Sequence, residues 1–366
     1  MHTRLDRLRA ILVGRELPAL LVTAPSNVRY LSGFTGSNGA LLIAPAVNLL
    51  FTDSRYLIQA AREAPAFAVR EIINPERPLP VALKAAAAEL GLPRIAFEAA
   101  HVTVAAHRAL AAALEGVAEL APVEGLVERL REVKDDAELQ TLRRAIAITD
   151  AAFLASLPRL RPEMTEREAA WMLEVALRVG GAEAISFPII VAAGPHSALP
   201  HARPGDEPLG LNRPIVIDMG ARVDGYHADL TRTVVLGEPD ERFRRIYAIV
   251  LEAQRRAIAG MRPGVLTHEV DALARSYIAA MGHGEHFGHG LGHGVGLEVH
   301  EGPGLRRAQP DAPGAPLQAG MVTSVEPGIY IEGWGGVRIE DLVLVTAEGC
   351  TVLSQAPRLD VGWPSG

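Results

Sequence analysis

VIDMGARVDGYHADLTRTV, residues 216–234, puts two carboxylates into strand-like text that has no comfortable room for them. Asp218 ends one β-rich run and Asp229 sits inside the next. Between them, Asp224-Gly225 is a strong signal for a two-residue hairpin loop. With that loop, Val223 faces Tyr226 and Asp218 falls opposite Thr231, so Asp229 lies two residues away on the same face. A loop at Val223-Asp224 instead sets the two acids directly opposite each other. In both registers like charges crowd one face, which destabilises a hairpin unless a cation lies between them.

A second pair repeats the pattern. Glu326 in SVEPGIY and Glu340 in VRIEDLVLV each interrupt an apolar β-rich run. A three-residue loop at Glu332-Gly333-Trp334 brings both to one face, although Pro327 must break the ladder beside them. Buried acids have to be paired, protonated or bound to metal. Lys84 and Lys134 are the only lysines, neither is close in sequence, and Arg232 and Arg338 are too few to neutralise four carboxylates. Two divalent cations balance them. Between the pairs runs GHGLGHGVGLEVHEGP, residues 288–303, with His289, His293 and His300 among alternating glycines. Each glycine costs a helix about 1 kcal/mol relative to alanine, so this run is extended or looped with its backbone packed closely. Oxygen-rich ligation with one imidazole favours Mn²⁺ over a thiolate-type zinc site.

Outward from these hairpins the chain has two rhythms. From residue 1 to about 125, short apolar runs (19–23, 39–45, 48–53, 67–72, 94–99) alternate with amphipathic stretches (54–64, 79–90, 103–114). That alternation predicts an α/β domain with a mixed sheet. Its first strand–helix turn lacks a dinucleotide glycine fingerprint. From about residue 128, two helices (135–157 and 165–181) precede strands, and two more (241–260 and 266–282) precede strands again. Thr165 and Glu168 form a capping box for the second of these helices. Two helices then strands, twice over, predicts a duplicated α+β unit with a cleft between its halves.

The 366 residues carry a formal charge of −7, which gives no attraction to nucleic acid or to anionic membrane. One cysteine, Cys350, fits a reducing cytosol and reads as a small core residue. No apolar run approaches the roughly 20 residues of a membrane helix, and no basic-then-apolar leader opens the chain. A cytoplasmic protein is expected.

Taken together, Asp218, Asp229, His293, Glu326 and Glu340 resemble the five metal ligands of the pita-bread metallopeptidases. That superfamily holds methionine aminopeptidases, prolidases, Xaa-Pro aminopeptidases and creatinase. The Asp–Asp spacing of eleven, the GHGVG around His293 and the EPG at Glu326 all fit. SNVRYLSGFTGSNGALLI (26–43), LFTDSRYLIQA (50–60) and GVRIED (336–341) resemble the proline-specific branch. The resemblance implies an α/β N-terminal domain (1–127) and an α+β pita-bread catalytic domain (128–366). It implies two divalent ions, Mn²⁺ first and Co²⁺ or Zn²⁺ as alternatives, bridged by Asp229 and Glu340. Asp218 would bind one ion, and His293 with Glu326 the other.

The implied reaction is hydrolysis of an N-terminal Xaa-Pro bond in dipeptides or short peptides by a metal-bridging hydroxide. Glu326 would relay the proton, while His300 and His201 (in SALPHARPGD) would touch substrate. Arg338 is expected at the rim of the proline pocket. Creatinase shares the fold but lacks the metal ligands; a binding protein without catalysis is the alternative, and its signature, a lost ligand, is absent here. Dipeptidase and aminopeptidase both remain open. The resemblance also implies a homodimer whose N-domain reaches the partner's cleft, through the loop Gly33–Gly39 or through Arg55. A local pair of Arg55 with Asp53 is the plainer reading. His283, His286 and His289 are expected to carry no role, and Tyr226 to pack.

Overall fold

The computed structural model describes residues 4–309 and 314–358. Its contacts divide the chain into two compact units, residues 1–131 and 132–366.

Among the described residues of the first unit there are six strands. They are Leu20–Val22 (β1), Ala40–Ile43 (β2), Asn48–Thr52 (β3), Ala68–Glu71 (β4), Arg94–Glu98 (β5) and Glu119–Val123 (β6). Helices separate successive strands, except β2 and β3, which follow each other directly. The six form one sheet in the order β4-β3-β2-β1-β5-β6. β1–β2 and β2–β3 are antiparallel and the other pairs parallel, so the sheet is mixed. Leu21, Leu42, Phe51, Leu83, Ile95 and Leu110 fill the core beside it. β6 escaped the sequence reading because ELAPV has a proline inside it and lies at the sheet edge, with no buried position. Pro25–Ser32 also forms a helix, begun by its proline and stopped at Gly33 in the left-handed region (φ +80°). The strand periodicity of the text around it hides this helix.

The second unit has two helix pairs. Asp136–Ser156 (α1) packs on Glu166–Val179 (α2), and Glu241–Gly260 (α3) on Thr267–Ala280 (α4). Both helices of the first pair start at reciprocal caps. Thr165 Oγ1 accepts from Glu168 N at 3.1 Å while Glu168 Oε2 accepts from Thr165 N at 2.8 Å. Asp135 and Glu138 do the same for α1. Each pair covers its own core. Phe153, Leu173, Leu177 and Ile217 belong to one; Phe243, Val250, Ile278 and Val343 belong to the other. Truncating a buried phenylalanine such as Phe153 to alanine costs about 3–5 kcal/mol.

Between the helix pairs lie the two acid-bearing hairpins. In the first, Val223 pairs with Tyr226, Arg222 with His227 and Asp218 with Thr231. This is the register of an Asp224-Gly225 loop, and both loop residues have positive φ (45° and 74°), as a type I′ turn requires. In the second, Ile331 pairs with Gly335 across Glu332-Gly333-Trp334, and Val325 with Asp341 beyond the gap. Glu326 and Glu340 therefore face each other where Pro327 interrupts the ladder.

Candidate metal centre

Asp229, Glu326 and Glu340 lie just outside regular strands, where the ladders open. Their neighbourhood is tied together by backbone: Glu326 N donates to Leu291 O at 2.8 Å and Glu340 N to Thr231 O at 3.1 Å. The second bond joins one hairpin to the other. Gln254, from the middle of α3, donates to Val325 O (3.0 Å), Ile339 O (3.2 Å) and Asp341 Oδ2 (2.9 Å). It thus fills the ladder gap immediately before both glutamates.

The glycines around His293 allow a close approach. A Cβ at Gly292 would stand 2.1 Å from Ser324 O, and one at Gly294 would stand 2.0 Å from Gly302 O. Gly292 to Gly294 form a short strand between Glu301–Leu305 and Val322–Val325. His293 Nδ1 lies 3.1 Å from Gly294 O. A carbonyl only accepts, so Nδ1 carries a proton and Nε2 is the atom turned to the acids. That Nε2 is 3.3 Å from Glu326 Oε1 and 3.7 Å from Asp229 Oδ2.

One ligand atom each from Asp229, His293 and Glu340 lie within 4.8 Å of one another. Asp218 and Glu326 stand beside this triad with other partners. Asp218 Oδ2 accepts from Arg338 Nη2 at 2.6 Å, and Glu326 Oε1 accepts from Ser324 Oγ at 3.0 Å. Thr231 Oγ1 donates to Glu340 Oε2 at 2.6 Å. Asp218 Oδ1 and Glu340 Oε1 are buried with no hydrogen-bond partner. An orphaned buried acceptor is costly, more so when charged. Two of them aimed into one nest of acids fit hard cations well.

The electrostatics agree. Burial, then the charges of Glu340 and Asp218, push Asp229 well above the usual carboxylate range. Burial and the charges of Glu326 and Asp218 do the same to Glu340. Asp218 is raised by burial and held back by Arg338. Burial also opposes ionisation of Glu326, yet its hydrogen bond and charge pairing with His293 bring it down to about 2. His293 is raised in return, Glu326 outweighing burial. The acids cannot all be ionised together without added positive charge.

All five of these residues line one cavity of about 490 Å³, together with His201, His289, His300 and Arg338. His300 stands edge-on to His293, with ring centroids 4.2 Å apart. Burial and the neighbouring His293 lower its pKa, keeping it neutral. Phe187, Pro188 and Ile189 give the cavity an apolar wall. Arg338 lines the cavity but is 3% exposed, and its guanidinium is largely spent on protein. It donates to Thr231 Oγ1 (3.0 Å), Pro200 O (3.0 Å), Tyr330 OH (2.9 Å) and Asp218. Four of five N–H groups are used, so one remains for substrate. Arg55, in the other unit, is committed to Asp53, with Nε and Nη2 each at 2.8 Å from a carboxylate oxygen.

Two further residues stand close to the site. His289, expected to carry no role, lines the cavity, with Nε2 at 3.0 Å from Tyr330 OH and Nδ1 at 2.7 Å from Gly290 O. Glu166 is fully buried at the start of α2, where Thr165 and Glu168 drew attention to the cap instead. It accepts from Ala193 N (2.8 Å), Gly205 N (2.9 Å) and His196 Nδ1 (2.8 Å). It thereby pins both ends of the loop that carries His201. Tyr226 packs, as expected, donating to Glu138 Oε1 at 2.9 Å.

Residues 140–347 match the model of metallopeptidase family M24, and residues 4–133 that of the creatinase/prolidase N-terminal domain. An Xaa-Pro dipeptidase of Pyrococcus horikoshii is 42% identical over 242 residues, 66% of this chain and 68% of that protein. The solved Xaa-Pro dipeptidase from Bacillus anthracis superposes with a TM-score of 0.91 at 39% identity, covering 97% of this chain and 98% of that one. The X-Pro aminopeptidase structure from Thermotoga maritima gives 0.88 at 39% identity and the same coverage. With both domain models and full-length neighbours of this likeness, the chain belongs to metallopeptidase family M24 and carries that family's pita-bread catalytic domain behind a creatinase/prolidase-type N-terminal domain.

Proposed function

We propose that this protein hydrolyses the bond between an N-terminal residue and proline, as a dinuclear metal-dependent exopeptidase. The observation that carries the reading is the nest of Asp218, Asp229, His293, Glu326 and Glu340 on one cavity, with two orphaned carboxylate oxygens. The names of the similar proteins, Xaa-Pro dipeptidase and X-Pro aminopeptidase, support the substrate class.

Asp218, Asp229, His293, Glu326 and Glu340 would hold two divalent ions, Mn²⁺ in the first instance. When bound, they supply Lewis acidity at the scissile carbonyl and lower the pKa of water. The protein's own groups do the rest. Glu326 takes the proton of the attacking water and delivers it to the proline nitrogen. Neutral His300 donates to the carbonyl oxygen as charge grows there. His201 hydrogen-bonds beside the scissile amide, and Asp218 meets the substrate's α-amine. An Xaa-Pro amide has no N–H to offer, so selection rests on the ring, which the wall of Phe187, Pro188 and Ile189 receives. Arg338 acts on substrate chiefly through Asp218 and the Pro200 carbonyl.

No helix among the described residues is long and apolar enough to cross a membrane. The reading extends to a cytoplasmic homodimer on the strength of the family resemblance. The test compares Ala-Pro with Ala-Ala, using metal-stripped protein and the same protein reloaded with Mn²⁺. Cleavage of Ala-Pro alone, only after reloading, is expected. Equal cleavage of both dipeptides, or full activity in protein shown metal-free by elemental analysis, would remove the proposal.

A further inference from the structure

We propose that Arg203 receives the C-terminal carboxylate of the substrate and so makes free dipeptides the preferred substrates. This rests on the Xaa-Pro reading and assigns its missing end. A dipeptide is a zwitterion, and in the proposed function Asp218 meets its amine. The carboxylate of the proline then lies at the other end, away from Asp218, and needs a cation there. The arginines lining the cavity are Arg338 and Arg203. Arg338 has one N–H left and is already paired with Asp218. Arg203 is exposed, and among the described residues it makes no hydrogen bond or ion pair with the protein.

Its backbone, unlike its head group, is held. Arg203 lies between two anchors. Pro200 O accepts from Arg338 at 3.0 Å on one side, and Gly205 N donates to Glu166 at 2.9 Å on the other. Gly194 N, at the start of the same loop, donates to Pro214 O at 2.8 Å. A pinned backbone with a free guanidinium is the arrangement for a bidentate grip on a planar carboxylate. In a longer peptide the same position is a neutral amide followed by more chain, and the grip has nothing to hold. Because the group faces solvent, screening limits the gain, and a preference of about tenfold is expected rather than a thousandfold.

The experiment uses the Mn²⁺-loaded full-length enzyme with Ala-Pro, its C-terminal amide Ala-Pro-NH₂, and Ala-Pro-Ala. The native protein should favour Ala-Pro over the amide by about tenfold in kcat/KM, mostly through KM, and less at high salt. Arg203→Gln should bring the acid down to the level of the amide while leaving amide hydrolysis within about twofold. Arg203→Lys should keep part of the preference. Equal cleavage of acid and amide by the native enzyme overturns the carboxylate assignment and leaves the Xaa-Pro reading standing. So does an unchanged preference in Arg203→Gln. Failure to cleave any of the three overturns both.

Discussion

Glu166 offers a sharp test of whether the His201 loop is positioned for chemistry or merely packed. Replacing Glu166 with alanine removes the acceptor for one buried backbone N–H, at Ala193, and for a half-buried one at Gly205. Leaving a buried donor unsatisfied costs about 1–3 kcal/mol. Counting the half-buried donor at less, Glu166→Ala should lower stability by about 2–4 kcal/mol. Against a typical total of about 5–15 kcal/mol, the protein stays folded. The loop from residue 194 to 205 carries none of the five proposed ligands, so metal content should be unchanged. His201, however, loses both fixed ends of its support. A loss of about 10- to 100-fold in kcat/KM, or roughly 1.4–2.7 kcal/mol of transition-state stabilisation, is expected. Glu166→Gln, which keeps one carbonyl acceptor, should fall between. Urea unfolding gives the stability change from the midpoint at constant slope, and elemental analysis with Ala-Pro kinetics gives the rest. If the midpoint falls as expected while kcat and KM stay at native values, Glu166 is a structural brace only. The reasoning about His201 is then wrong.

Three further outcomes separate the roles of the site residues. Asp229→Asn should lose both metal and activity, because its carboxylate lies in the triad with His293 and Glu340. His300→Ala should keep its metal and lose turnover by about 10²-fold or more, the usual scale for a lost transition-state hydrogen bond. Stoichiometric metal loss in His300→Ala would reverse the assignments of His293 and His300. The stabilisation that divalent metal confers should grow as pH rises above the ordinary carboxylate values of 3.8 and 4.5. Asp229 and Glu340, both raised by burial and by neighbouring acids, hold protons in the metal-free fold that a metal has to displace, and that cost falls with every step up in pH. His293, raised by Glu326, pushes in the same direction. Thermal melts of stripped and loaded protein from about pH 4 to 8 give the difference, in which buried groups away from the site, such as His227, cancel. A metal-induced stabilisation that shrinks as pH rises would refute the crowding of acids.

The hairpins were legible because their loops leave little freedom. Asp224-Gly225 is two residues long and takes positive φ at both, so one register follows and every pair down to Asp218–Thr231 is set. The Glu332-Gly333-Trp334 loop does the same for Glu326 and Glu340, despite the gap at Pro327. What periodicity cannot do is choose between His289 and His293. Four residues apart in an extended run, both project to the same face. Only the resemblance picked His293; in the structure Tyr330 lies against His289 while His293 turns to Glu326. Glu166 was illegible for a different reason. Its partners lie 27 to 39 residues further along, on a loop whose backbone donors leave no mark in the sequence. Arg338 falls between these cases. Its place beside Glu340 was clear, but four hydrogen bonds to four separate segments make it a brace before it can be a rim. Local patterns therefore locate the charges in this fold, and contacts between distant segments decide which charges are free to meet a substrate. Arg203 and Arg338 line the same cavity, and that difference alone separates them.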